Sequence, residues 1–295
     1  VPAWLLGTPI VKMPQATGPY RNGLNRALAS WVLPMCRMVW ARGARTREHL
    51  EQSGFKGLAF AQADDIAFNH RDAYNLTRDG GPALDARFAE LAALAAGEGG
   101  GVIGICPSSV VAVQSRRSGG NYEQVLSVLV SRLLDAGHAV VLFPNATREA
   151  AGDAERNNDL PVIRRVRDAV GPHGRLLAFD LDMNTVQIKR VIRAMDAVLV
   201  SRFHAMVGAL SLEVPAAVLG WSHKYAEVMA RFGLESNVMD YKAMSAADLL
   251  ASVLRVYEQR EAMRAAIGAA LPGVKASADR PVAALLSPTL GADLA

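Results

Sequence analysis

Between residues 98 and 250 the chain alternates short apolar runs with longer segments of helical periodicity. The runs 102–106, 139–143, 176–179, 197–201 and 216–220 are nearly continuous in Val, Ile, Leu and Ala. Strands covered on both faces read this way, because neither face has to meet water. The segments 122–136, 161–170, 185–195, 204–212 and 225–232 carry helical patterns between them, with apolar residues three and four apart on one face. Strand and helix repeated at this spacing predict a parallel sheet with right-handed crossovers, a doubly wound α/β domain.

The first 97 residues are less regular. Segments 9–14 and 57–62 have strand character, while 24–39 and 46–53 have helical character, which predicts part of an α/β unit. Gly97-Glu98-Gly99-Gly100-Gly101 reads as a flexible linker. The predicted organisation is a partial N-terminal α/β domain over 1–97, a C-terminal Rossmann-like domain over 98–271 and a tail over 272–295. Pro281 and Pro288 leave that tail either to wander or to strap back across the first domain.

Composition narrows the functional classes. The 295 residues are 51% hydrophobic and 20% charged, which supports a large core and fits neither disorder nor a coiled coil. A net charge of +4, from 32 basic against 28 acidic residues, is too mild for a protein that coats nucleic acid. The excess is local, however. Residues 21–47 hold six arginines and no acid, interleaved with Leu24, Leu28, Trp31, Val32 and Trp40. With Leu33, Met35 and Met38 in the same series, that pattern suits anionic lipid or the diphosphate of a lipid-linked acceptor, and equally a helix packed on the sheet with solvated arginines. Cys36 and Cys106 provide no disulfide framework, so a reducing compartment is expected. No apolar run reaches the ~18–20 residues that span a bilayer, and Val1 opens the chain without a charged leader. A cytoplasmic location is expected, peripheral to the inner membrane face if the arginine stretch meets lipid.

Ligands of open parallel sheets bind beyond the carboxyl ends of the strands, so the residues after each run are the candidates. The first run is followed by Ser108 and Ser109, then by Arg116 and Arg117 in a Ser/Gly-rich loop. The second is followed by Asn145, Thr147 and Arg148, the third by Asp180, Asp182 and Asn184. The fourth leads into Ser201-Arg202-Phe203-His204 and the fifth into Trp221-Ser222-His223-Lys224. Four of the five ends carry cations, which points to an anionic small ligand. At a helix start, Arg202 can grip a carboxylate or phosphate with its two-pronged guanidinium, and His204 can move a proton near neutral pH. The same residues also read as an N-cap (Ser201), a surface ion pair (Arg202) and a satisfied buried histidine (His204). His223 and Lys224 either reach the same ligand, with Ser222 capping the next helix, or are solvated charges of a capped turn. Arg116 and Arg117 either close on the ligand or lie in an exposed loop. Asp180 and Asp182 have no third ligand at metal spacing, so no metal site is predicted. Phosphate-binding glycine loops, nucleophile elbows and zinc motifs are absent from the sequence.

Ser201-Arg202-Phe203-His204-Ala205-Met206, followed by Val214-Pro215 and Lys224, resembles the signature of the polysaccharide pyruvyl transferases. Pro14-Gln15-Ala16-Thr17-Gly18-Pro19-Tyr20 resembles that family's landmark in the first domain. Residues 41–54 and 65–68 follow the family's order of segments. The resemblance spans roughly residues 5–255 and is strongest over 197–233. It implies a two-domain GT-B-like fold with the active site in the cleft. The implied activity transfers the pyruvyl group of phosphoenolpyruvate onto a sugar diol as a ketal, releasing phosphate and using no metal or organic cofactor. It implies Arg202 and His204 as catalytic residues and Phe203 beside them at the donor. Arg116 or Arg117 would assist, and Gln15 would face a sugar or lipid-linked saccharide acceptor. Many relatives carry an arginine directly after the first C-terminal strand, where this chain has Cys106-Pro107-Ser108-Ser109. Relatives also have further α/β units before the Pro-Gln segment, so the first domain is expected to be incomplete. Two rivals follow: a GT-B glycosyltransferase using a nucleotide-sugar, and a non-catalytic truncated paralogue that keeps an anion pocket.

Overall fold

The computed structural model describes residues 2–70, 81–97, 99–148, 157–243 and 245–286. The chain forms two compact units, one of residues 1–70 with 270–295 and one of residues 71–269. Each contains its own parallel sheet.

The first unit comprises α1 (Pro2–Leu5), β1 (Val11–Gln15), α2 (Gly23–Val32), β2 (Met38–Arg42), α3 (Ala44–Ser53) and β3 (Phe60–Ala63), with sheet order β1-β2-β3. Alternation along β2 fills both faces, as the two-residue period of a strand requires. Val39 and Ala41 pack with Leu33 and Leu50, while Met38 and Trp40 pack with Ala63. The single helix expected over 24–39 is instead a helix, a 3-10 turn and a strand. Pro34 stops the helix because it has no N–H to continue the bonding, and Val39-Trp40 then suit a strand. Helix α2 buries none of its residues. Leu24, Leu28 and Trp31, one stripe at helical spacing, are 70%, 50% and 57% exposed. The helix meets the sheet on another side, where half-buried Ala29 packs against the cluster of Leu33, Val39, Ala41 and Leu50, so the reading of a helix packed on the sheet holds for Ala29 and not for the apolar stripe. Arg26 instead donates to the Ser53 carbonyl at 2.7 Å and lies 5.3 Å from the Phe55 ring.

The second unit runs through α4 (Gly81–Ala96), β4 (Gly100–Cys106), α5 (Ser109–Arg117), α6 (Tyr122–Asp135), β5 (His138–Leu142), α7 (Leu160–Val170) and β6 (Leu176–Ala178). It continues with α8 (Thr185–Arg193), β7 (Ala197–Val200), α9 (Phe203–Ser211), β8 (Ala216–Gly220), α10 (Lys224–Ala230), β9 (Val238–Asp240) and α11 (Ala246–Glu258). The sheet order is β6-β5-β4-β7-β8-β9 and every pairing is parallel. Strands β5, β7 and β8 are buried throughout. The order reverses direction between β4 and β7, the topological switch point where open α/β sheets hold ligands.

The boundary expected at residue 97 falls elsewhere. Helix α4 belongs to the second unit, burying Leu84, Phe88 and Leu91. The Phe88 ring sits 5.4 Å from that of Phe179 and 3.9 Å from the Arg190 guanidinium. Nor do the glycines act as a linker, because Gly100 and Gly101 open β4. A Cβ on Gly101 would stand 2.5 Å from the Tyr257 ring, so close packing demands the glycine. The expected tail is also mostly helical. Helix α12 (Arg260–Leu286) runs through Pro272 and Pro281, and its residues from 270 onward belong to the first unit. There Ser277 Oγ accepts from the Asp64 N–H at 3.1 Å, and Asn69 Nδ2 donates to the Lys275 carbonyl and to Asp279. Strapping back is thus what the described part does. Pro288 lies outside the described residues.

Candidate functional site

Cys106 and Val200, the last residues of β4 and β7, are paired neighbours at the switch point. The chain leaves them into Ser108-Ser109 and Ser201-Arg202, so two loops distant in sequence emerge side by side. A hydroxyl cluster binds them together. The Tyr122 hydroxyl lies 2.8 Å from Ser201 Oγ and accepts from the Ser108 N–H at 3.3 Å. Tyr225 donates to the Ser201 carbonyl at 3.2 Å. Burial holds both phenols above their ordinary range.

Arg202 stands at the N-cap of α9 in extended backbone, and its partner is a residue the sequence pattern did not single out. Its Nε lies 3.0 Å from both carboxylate oxygens of Asp159, and its Nη2 donates to Asp159 Oδ1 at 2.6 Å and to Ser109 Oγ at 2.8 Å. The fork expected to grip a ligand therefore grips Asp159. Nη1 is the one guanidinium nitrogen left without a hydrogen bond to the described residues. The alternative of a surface ion pair fails too, since Asp159 is 0% and Arg202 only 13% exposed. Burial by itself lowers the Arg202 pKa, but the charge and hydrogen bonds of Asp159 outweigh it and hold the guanidinium above its ordinary value. Cys106 is pushed well above its usual range by burial and, next, by Asp159.

Asp159 also accepts from the backbone N–H groups of Ser109 at 2.9 Å, Ala146 at 2.9 Å and Asn145 at 3.3 Å. It thereby ties together the loops after β4, β5 and β7. In the sequence it precedes Leu160-Pro161 and looks like an ordinary helix cap. It does stand at the N-cap of α7, yet its side chain makes no capping bond there.

Around this core the remaining candidates sort by position. Ser108 and Ser109 are buried; Ser108 Oγ accepts from the Val111 N–H at 3.4 Å and Ser109 Oγ from Arg202 at 2.8 Å. His204 is exposed, not buried, and its ring meets that of Phe203 edge-on at 5.4 Å. Lys224 Nζ lies 4.6 Å from the Trp221 ring centre, 4.9 Å from Phe203 and 5.7 Å from Tyr225. Such aromatic faces attract a cation and fix its place, here beside the start of α9. His223 is itself the N-cap of α10, and its Nε2 lies 3.8 Å from Glu227. Ser222 does not cap that helix: its Oγ is buried without a hydrogen-bond partner. The segment of Arg116 and Arg117, expected as a loop, is the last turn of α5, and Arg116 bonds Glu123 at 2.9 Å. Asp180 pairs with Arg167 and Arg164, and Asp182 accepts from Thr147. Among the described residues, no group of three or more His, Cys, Asp or Glu is placed to hold a metal ion.

Gln15 belongs to the first unit, where it ends β1 and its Oε1 accepts from Lys12 at 3.0 Å. The loop after it is built tightly. His49 Nδ1 lies 3.1 Å from the Thr17 carbonyl. Gly18 has φ +80°, with no room for a Cβ beside the His49 ring.

Several solved structures share the fold. A Listeria monocytogenes protein named as a UDP-N-acetylglucosamine 2-epimerase matches with TM-score 0.63 and 14% identity, over 96% of this chain and 68% of its own. An α,α-trehalose-phosphate synthase from Burkholderia vietnamiensis gives TM-score 0.61 and 11% identity, over 95% and 68%. The Anabaena protein HepE, solved with UDP and glucose, gives TM-score 0.55 and 11% identity, over 97% and 73%. At these identities the likeness concerns the fold, which is α/β with two parallel sheets and GT-B-like. The model of the polysaccharide pyruvyl transferase family matches residues 2–223, and with that match spanning most of its length, the chain belongs to the polysaccharide pyruvyl transferase family.

Proposed function

We propose that this protein transfers the pyruvyl group of phosphoenolpyruvate to a sugar diol, forming a cyclic ketal and releasing phosphate. The observation that carries the reading is the Ser201–His204 segment at the switch point, with an anchored guanidinium, an exposed imidazole and Lys224 gathered at one helix start.

In this reading the anionic donor lies at the start of α9, where no side chain caps the first-turn N–H groups and the helix dipole favours negative charge. Arg202 offers it Nη1, Lys224 adds positive charge, and His223 is the neighbouring polar group at the start of α10. His204 delivers a proton to the methylene carbon of phosphoenolpyruvate, which leaves an oxocarbenium-like centre on the adjacent carbon. One sugar hydroxyl adds there, phosphate departs, and the second hydroxyl closes the ring. The two hydroxyl protons end, in net terms, on the new methyl group and on phosphate. A positioned general acid contributes ~10²–10⁴-fold to such a step. No metal or organic cofactor enters this scheme. Gln15, with the loop that follows it, serves the acceptor, a saccharide or its lipid-linked form. The exposed apolar stripe of α2 among arginines supports a peripheral membrane contact for such an acceptor.

The test is incubation of purified protein with phosphoenolpyruvate and methyl glycosides bearing vicinal or 4,6-diols. Phosphate release and the new ketal methyl resonance are followed, with UDP-glucose as the control donor in a thermal-shift assay. The reading expects protection by phosphoenolpyruvate and a ketal product. Protection by UDP-glucose alone favours a glycosyltransferase. Protection by phosphoenolpyruvate without turnover on any diol favours a non-catalytic anion-binding protein.

A further inference from the structure

We infer that Asp159 is a positioning residue of this site, acting on the donor only through Arg202; the inference rests on the pyruvyl-transfer reading for its substrate. A fully buried carboxylate needs partners for both oxygens. Asp159 has them on every side: three backbone N–H groups from the loops after β4 and β5, and two nitrogens of Arg202. Because Nε and Nη2 are both held, rotation of the guanidinium about its own bonds is blocked, and Ser109 takes the remaining proton of Nη2. Nη1 alone is left to present its two N–H groups, in a direction set by Asp159. Asp159 touches no ligand surface itself, being 0% exposed. Its neighbour in sequence, Asn158, is buried as well and bonds the backbone of Arg148 at 3.3–3.4 Å, which ties the residue beside the carboxylate to Arg148. The arrangement converts a flexible side chain into a fixed donor, as bidentate guanidinium–carboxylate geometry does.

The experiment is a double-mutant cycle on phosphoenolpyruvate affinity, measured by calorimetry for wild type, Asp159→Asn, Arg202→Met and the double variant. A residue acting only through Arg202 gives strongly non-additive effects. Each single variant is expected to bind at least about tenfold more weakly, and the double variant no more weakly than the worse single one. Additive losses would overturn the inference, since Asp159 would then support the site independently of Arg202. A second arm reads the intact pair in the folded wild-type protein and uses a variant only for assignment. In the nitrogen-15 spectrum of the wild-type chain, the Arg202 guanidinium, assigned by its disappearance in Arg202→Met, should show separate Nη proton resonances from hindered rotation. A single averaged resonance would overturn the inference even if Asp159→Asn fails to fold. Wild-type protein that does not bind phosphoenolpyruvate would overturn the pyruvyl-transfer reading instead, and the spectral arm then decides the role of Asp159 by itself.

Discussion

Replacing Arg202 by lysine keeps the charge and removes the geometry. The guanidinium meets Asp159 at 2.6 and 3.0 Å through two nitrogens and Ser109 at 2.8 Å. A single ammonium cannot satisfy Ser109 and both carboxylate oxygens in one plane. Losing one charge-assisted hydrogen bond costs about 1.5–3 kcal/mol, with little relief from solvent because the side chain is only 13% exposed. For a unit of this size each kcal/mol moves the melting temperature by about 2–4 °C, so a fall of about 3–12 °C is expected. Donor affinity should fall with it, since Nη1 is lost. His204→Gln supplies the contrast. The ring is exposed, so stability should change by less than about 0.5 kcal/mol, while turnover drops by ~10²–10⁴-fold. Scanning calorimetry, phosphoenolpyruvate titration and phosphate release on the two variants read these quantities separately. Arg202→Lys protein that melts with wild type would refute the buried pair. His204→Gln protein that turns over at the wild-type rate would refute the imidazole as the acid.

Tyr122→Phe should cost about 1–3 kcal/mol, read from urea unfolding, because it strips partners from the buried Ser108 N–H and Ser201 Oγ. The same phenol, with Tyr225, is held above its usual pKa of 10.0 by burial. As pH rises through about 10 the unfolded chain loses these protons first, so stability should fall on the alkaline side, less steeply in Tyr122→Phe. Gly101→Ala should destabilise by about 1–3 kcal/mol in thermal unfolding, because its methyl would overlap the Tyr257 ring and Asp196. The exposed stripe of α2 should bind anionic vesicles in a salt-sensitive manner, with Trp31→Glu abolishing sedimentation; no binding at low ionic strength would remove the membrane reading.

Five strands of the six-stranded sheet were legible because they are largely buried on both faces and the helices between them are amphipathic; β9, three residues long and half-exposed to exposed, carries no such apolar run and was missed. The ends of those five strands were legible for the same reason: once the strands are placed, Ser109, Arg202 and Lys224 follow. The first unit was not so readable. Strand β2 begins at Met38, directly behind a helical pattern, and only Pro34 marks the change. The glycines before β4 look like a linker until the Tyr257 ring is seen against them. Asp159 was hidden most completely. An acid at the start of a helix with proline in its first turn is an ordinary cap in sequence, and the role of Asp159 depends on three loops, distant in sequence, meeting at one point.

That meeting point changes how the charge of the site is counted. The strand ends carry many cations, yet the most deeply placed, Arg202, is offset by Asp159 at 2.6 Å, and Arg116 is turned onto Glu123. In the proposed reading, a carboxylate-bearing phosphate ester would therefore meet an Arg202 whose charge is already balanced. In that reading it would face one guanidinium nitrogen, the amides of the α9 start, and Lys224 among three aromatic rings. These are fixed dipoles and a tethered cation rather than mobile surface charges. They need little reorganisation as phosphate departs, which is the condition for stabilising charge in a transition state more than in the bound donor. On the proposed reading, the buried Arg202–Asp159 pair serves orientation, and attraction is left to the other groups at the helix start.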